Sequence, residues 1–245
     1  MQRDSIKYNG HTIEYEWTTA RRKTIGLTIA PDGTLTVKAP LGTTRQYIRQ
    51  CVTKKAEWIL SKIKKLGERR DITSDRHFQD GEILFYLGQE YVFRQIREAS
   101  IKEENVAVIW LEKEKNEIQM YYKGLEWSAE EKKDILEQWY RREARQYLWS
   151  LAEKFSQEIP CTFGTIRIKN QKTCWGSCSA KGNLNFNWRI MMAPPEIGEY
   201  LVVHELCHRL EMNHSAAFWK LVEKQIPDYR ERRAWLKNYG YLLEW

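Results

Sequence analysis

Five residues in a row, His204-Glu205-Leu206-Cys207-His208, carry the chemistry that is easiest to read from this chain. On a helix, side chains four positions apart point only about 40° from one another around the axis, so the two imidazoles can face one metal ion. Glu205 points about 80° from their mean direction, beside the ion instead of at it. That separation suits a general base: two histidines bind a zinc ion, and the acid takes a proton from the water in an open coordination position. His214 follows ten residues after His204, and three of the five histidines fall within residues 204–214. On an unbroken helix ten residues span about 15 Å, so His214 can share the metal only if the helix ends first. Asn213 is a residue type that tolerates the left-handed conformation found just past helix ends, and Ser215 can cap a following helix. His214 is therefore the expected third ligand, with Glu223 and Asp228 as acidic alternatives farther along.

The segment that must position this pair begins at Pro194-Pro195-Glu196, where proline and an acid suit a helix's first turn. From Ile197 to Leu210 it is apolar nearly all round, the pattern of a buried helix. Inside it, two imidazoles and a carboxylate would be costly without a bound ion and its water. Upstream, Ser128 followed by Glu131 predicts a capped helix start, and a stripe from Ile135 to Phe155 carries the helix on towards Pro160. Residues 165–169 and 183–190 alternate apolar and polar around Lys181-Gly182-Asn183 and predict a hairpin, with 183–190 as the edge strand for an extended peptide. The amino-terminal half reads as β-rich. A hairpin turns at Pro31-Asp32-Gly33, one amphipathic helix covers about 44–66, and short strands follow at 83–96, 106–111 and 118–122. The expected fold class is α+β. A β-rich lobe with one helix at 1–125 precedes a zincin-like helical lobe at 126–245, which holds the H-E-x-x-H helix and a β-hairpin.

Composition narrows the classes. Hydrophobic residues make up 42% and charged residues 30%, which excludes a disordered chain. No signal-peptide core and no apolar run of spanning length occurs, so the expectation is a cytoplasmic protein with no membrane contact. Five scattered cysteines suit reduced thiols; Cys174 and Cys178, spaced C-x-x-x-C with no matching pair, do not make a structural zinc site. The net charge of +7 divides into +7 for residues 1–80, −4 for 81–160 and +4 for 161–245. A basic first third attracts anions, but no nucleic-acid motif accompanies it, so nucleic acid ranks last as a partner.

Trp175-Gly176-Ser177-Cys178-Ser179, Asn185-Phe186-Asn187-Trp188-Arg189, the H-E-x-x-H run, Asn213-His214-Ser215 and Phe218-Trp219 together resemble the YgjP-like metallopeptidases, relatives of the WLM and SprT-like zincins. Arg22-Lys23, Ala39-Pro40 and Glu57-Trp58-Ile59 extend the resemblance towards the amino terminus. It implies a zinc site of His204, His208 and His214 with Glu205 catalytic. Cys174 stands where the family usually has a basic residue. Trp175 and Asn187, within the matching runs, are the candidate substrate-binding residues. The function expected is a zinc-dependent metallopeptidase acting on a peptide or protein through zinc-bound water activated by Glu205. A nucleoside triphosphate pyrophosphohydrolase on the same scaffold is the alternative, because the same activated water attacks phosphoanhydrides.

Overall fold

The computed structural model describes residues 1–243 other than 31, 75, 102, 104, 105, 125 and 172, and only the backbone at 65, 66 and 68–74. The chain forms two compact units, Met1–Asp75 and Arg76–Trp245.

The first unit is a four-stranded sheet with two helices. β1 (Gln2–Tyr8) and β2 (His11–Ala20) are antiparallel, β4 (Leu35–Pro40) runs parallel to β2, and β3 (Gly26–Ile29) closes the order β1-β2-β4-β3. The β3–β4 hairpin lies where alternation placed it; Pro31 of its turn lies outside the described residues. The single helix expected over 44–66 is two helices, α1 (Arg45–Lys54) and α2 (Ala56–Ser74). At Lys55 the backbone N–H turns back to the carbonyls of Val52 and Thr53, which ends α1. Ile48 and Val52 of α1 and Ala56 and Ile59 of α2 join Ile13, Leu35, Val37 and Ala39 in one apolar core. The Asp4 carboxylate fastens α1 to β1. It accepts two 2.7 Å bonds from the Arg45 fork, one from Tyr15 Oη at 3.1 Å and one from the Ser5 N–H at 2.9 Å.

In the second unit β5 (Ile83–Tyr86), β6 (Gln89–Arg97), β8 (Glu117–Tyr122) and β7 (Ala107–Glu112) form a sheet in that order, with β6 and β8 parallel. The 30-residue α3 (Ala129–Glu158) starts with the expected capping box: Glu131 accepts from the Ser128 N–H, and the Ser128 hydroxyl accepts from the Glu131 N–H. Tyr140 donates to the Phe85 carbonyl at 2.6 Å, Tyr86 donates to Glu143 at 3.1 Å, and the Tyr86 and Trp139 rings lie 5.4 Å apart. This shared core is why the chain divides at residue 75 and not at the expected 125: the sheet of residues 83–122 buries its apolar face on α3.

The third sheet has the order β10-β11-β9, from β10 (Gly176–Cys178), β11 (Leu184–Asn187) and β9 (Ile166–Lys169). The hairpin therefore joins 176–178 to 184–187, and β9 lies parallel to β11 instead of being its hairpin mate. A 3₁₀ turn (Trp188–Met192) leads into α4 (Pro195–Cys207), followed by α5 (Ala216–Gln225) and α6 (Tyr229–Tyr239). This arrangement is mixed α+β. None of the described helices is long and apolar enough to cross a membrane.

The Asp4 clamp yields a test. The Arg45 fork beside Asp4, followed by the hydrogen bonds from Ser5 and Tyr15, holds its carboxyl well below the usual carboxylate range. A group depressed in the folded state stabilises above its unfolded pKa and loses that contribution as pH falls through the folded value. Asp4→Asn should therefore lower the melting temperature at about pH 7, and the gap from wild type should narrow as pH falls below about 4. A gap that stays constant down to about pH 2 would show that shape, not charge, holds α1 to β1.

Candidate metal centre

α4 is helical less through intrinsic propensity, since Gly198, Val202 and Val203 are poor or middling helix formers, than through the apolar surface it buries between Pro195 at its first turn and a stop at His208. Nine of its thirteen residues are buried, among them Val202, Val203 and Leu206 at 0% exposure. Each such aliphatic side chain contributes about 1.5–3 kcal/mol on burial, which secures the helix that carries the polar groups. Gly198 lets the Tyr147 ring of α3 approach: a Cβ there would stand 3.1 Å from it.

The helix ends at Cys207, seven residues before His214. His208 is its C-cap, and the N–H groups of Arg209, Leu210 and Glu211 turn back to the carbonyls of Leu206 and Cys207. Asn213, expected in the left-handed region, is not among the residues with positive φ; the tight turns at 209–211 reverse the chain before it. Ser215 then caps α5 as expected, its hydroxyl accepting from the Phe218 N–H at 3.2 Å. The turn returns His214 to His204, with their Nε2 atoms 3.0 Å apart. One ring nitrogen from each of His204, His208 and His214 lies within 4.8 Å of the others.

The donor set fits a metal ion. A tetrahedral zinc with Zn–N bonds of about 2.0–2.1 Å spaces its nitrogens about 3.3–3.4 Å apart, close to the spacing of His204 and His214. His208 Nδ1 lies 3.0 Å from the Glu211 carbonyl oxygen, which can only accept, so Nδ1 carries the proton and Nε2 keeps its lone pair. Burial, reinforced by the neighbouring His208, pushes His204 down to about 3, so its ring is neutral and able to ligate, and burial lowers His214 in the same direction. His208 is 8% exposed and Glu205 3% exposed. Glu205 Oε2 and His204 Nδ1 are buried without a hydrogen-bond partner among the described residues. In the metal-free chain burial pushes the Glu205 carboxyl up to about 8; a nearby cation acts in the opposite sense and favours the carboxylate.

Glu205 lies against β10. A Cβ on Gly176 would stand 2.6 Å from Glu205 Oε1 and 3.0 Å from its Cδ, so only glycine leaves room for the carboxylate. Arg209, next to a histidine of the site, ties down the surrounding loops by donating to the carbonyls of Thr162 at 3.0 Å and Ala180 at 3.2 Å.

The structure brings His204, Glu205, His208 and His214 together and sets the other candidates apart. Glu223 pairs with Arg230 and Asp228 with Arg232, each at 2.9 Å, so neither joins the histidines. The Asn187 amide is committed at both ends: it donates to the Gln171 carbonyl at 2.8 Å and accepts the Arg189 N–H at 3.1 Å, capping the 3₁₀ turn. Trp175 packs on the backbone at Gly240, where a Cβ would meet its ring at 2.8 Å. These contacts explain Asn187 and Trp175 as structural elements. All five cysteines are free thiols.

Aromatic side chains of α5 escaped the sequence reading as parts of the site. Phe218, at 0% exposure, stacks on His208 with centroids 4.5 Å apart and lies 4.9 Å from both other histidines. Trp219 stacks on His214 at 5.6 Å. The available signal was their spacing, four and five positions after His214 on a helix capped at Ser215, which turns both towards the histidine turn.

The pattern of the family described as YgjP-like, metallopeptidase domain, matches residues 23–239. The chain belongs to the YgjP-like family, whose domain is a metallopeptidase domain. No curated protein matches it. Among solved structures, the metallopeptidase zymogen of Pyrococcus abyssi abylysin is 26% identical, over 37% of this chain and 93% of that one, with a TM-score of 0.34.

The contact between Gly176 and Glu205 can be measured without a substrate. Gly176→Ala should cost about 1–3 kcal/mol through overpacking, and most of that cost should vanish in a Glu205→Ala background, since residues in contact couple. Equal costs in both backgrounds would mean that Glu205 does not fill the space beside β10.

Proposed function

We propose that this chain is a zinc metallopeptidase in which His204, His208 and His214 hold the metal and Glu205 is the general base. The observation that carries the reading is the meeting of three imidazoles beside a buried carboxyl whose Oε2 has no hydrogen-bond partner among the described residues. Zinc held there would supply a Lewis acid that polarises the scissile carbonyl and makes water more acidic. Glu205 takes the proton from the attacking water and delivers it to the departing amide nitrogen, the shuttle that its place one residue after His204 allows. Phe218 and Trp219 support the reading by stacking on the rings of His208 and His214 and so fixing the imidazole planes.

The extended partner of a peptide substrate is assigned to β10. The strand first expected in that role, 183–190, is central in its sheet, so its backbone groups are engaged on both sides. β10 and β9 are the edge strands of that sheet, and of the two it is β10 whose Gly176 lies against Glu205. An extended peptide adding to that edge would run past the general base, with main-chain hydrogen bonds giving affinity and side-chain pockets specificity. Trp175, immediately before β10, and Asn187, at the end of β11, support this groove by holding its strands in place and have no proposed contact with substrate.

Zinc-loaded protein should cleave members of a peptide library, and a parallel screen of nucleoside triphosphates separates this reading from pyrophosphohydrolysis. Glu205→Gln keeps the shape of the side chain but cannot accept the proton, so turnover should fall about 10²–10⁴-fold with zinc content maintained. Near-normal turnover in that variant would overturn the assignment, and loss of zinc would make Glu205 a support of the metal site instead.

A further inference from the structure

α6 carries three arginines close together, and two are spent on acids of the chain. Arg230 donates to Glu223 at 2.9 Å, and Arg232 donates to Asp228 at 2.9 Å and to Glu199 at 3.0 Å. Arg233 has no acid within ion-pairing distance among the described residues. Its guanidinium instead lies over the Trp219 ring, with Cζ 4.6 Å from the centroid, and its side chain is exposed. Trp219 is the ring that stacks on His214, with centroids 5.6 Å apart, and it lies 5.7 Å from His204. Taken end to end, these distances bring the guanidinium carbon within about 10 Å of the centres of both imidazoles.

A guanidinium resting on an aromatic face is held in place without being neutralised. Stacking on the ring leaves the edge N–H groups of the fork free. Those N–H groups match a carboxylate in a two-pronged pair. An extended chain advances at most about 3.3–3.6 Å per residue, so a group 10 Å from the histidines is about three residues from the bond under attack.

We propose that Arg233 is a substrate subsite that receives a carboxylate within about three residues of the cleaved bond, either an Asp or Glu side chain or the free carboxyl terminus of the peptide. This rests on the metallopeptidase reading above. The subsite makes the enzyme selective for acidic sequences or for bonds near a chain end, and the arms of one experiment separate the two sources.

Zinc-loaded wild type, Arg233→Gln and Arg233→Lys are titrated calorimetrically with three tetrapeptide probes: a neutral one with blocked ends, the same with a free carboxyl terminus, and a blocked one containing Asp. Equal zinc content and melting temperature establish that the variants are intact. Wild type should bind one or both carboxylate probes about ten- to a hundredfold more tightly than the neutral probe, as a charge-assisted hydrogen bond predicts. That preference should collapse towards unity in Arg233→Gln and be partly restored in Arg233→Lys. The same preference in wild type and Arg233→Gln, or none in wild type, would overturn the proposal. So would an effect confined to nucleoside triphosphates, titrated alongside, which would assign the arginine to phosphate. A peptide library left uncut by wild type, with Arg233-dependent carboxylate binding intact, would sink the peptidase reading and leave the subsite standing.

Discussion

Everything at the candidate site depends on three imidazoles being brought to one point by a chain that must first stop being a helix. His204 and His208 come together at no cost, since they are one helical turn apart. His214 would be carried far along the axis if α4 continued, and the close approach of its Nε2 to that of His204 exists only because the helix is capped at His208 and reversed by the turns at 209–211. The proton on His208 Nδ1, held by the Glu211 carbonyl, makes the same turn responsible for the direction of the His208 lone pair. Helix termination and ligand orientation are thus one structural event.

A second constraint follows from burial. A carboxylate and imidazoles inside an apolar helix are destabilising unless paired, and here the surroundings refuse the ordinary remedies. Glu205 Oε2 has no hydrogen-bond donor among the described residues, and β10 presses its Gly176 backbone against the carboxyl. The rest of the unit makes this tension tolerable: α3 and the 83–122 sheet share a large core with α4, and Phe218 and Trp219 brace the rings. A bound cation would turn the unfavourable electrostatics into the favourable kind. Arg209 contributes by holding the hairpin turn at Ala180 and the loop at Thr162 to the end of the same helix.

Local signals in the sequence were legible and long-range ones were not. The Ser128–Glu131 capping box, the proline start of α4, the Ser215 cap and the 26–40 hairpin are specified by residues within a few positions of one another, and each lies where those residues indicate. The break at Lys55 was hidden because apolar periodicity continues through it. The parallel pairing of β9 with β11 was missed because alternation gives a strand but not its partner, and the true hairpin mate, Gly176-Ser177-Cys178, is too short to alternate visibly. Placing the domain boundary near 125 assumed that a β-rich stretch packs on itself, whereas the contacts of Tyr86 and Phe85 with α3 can be known only from the fold. At the site, the histidines and Glu205 stood out by spacing, while the ion pairs that engage Glu223 and Asp228 and the backbone bonds that engage Asn187 depend on tertiary neighbours.

The most direct measurement of the central claim is X-ray absorption at the zinc edge on stoichiometrically loaded protein, because it reads the atoms bound to the metal without requiring a substrate. The three-histidine site predicts nitrogen and oxygen neighbours at about 2.0–2.1 Å, with the outer-shell scattering pattern of three imidazole rings. A sulfur neighbour at about 2.3 Å would place a cysteine on the metal, and a pattern of only two imidazoles would remove His214 from it. Either result would contradict the account.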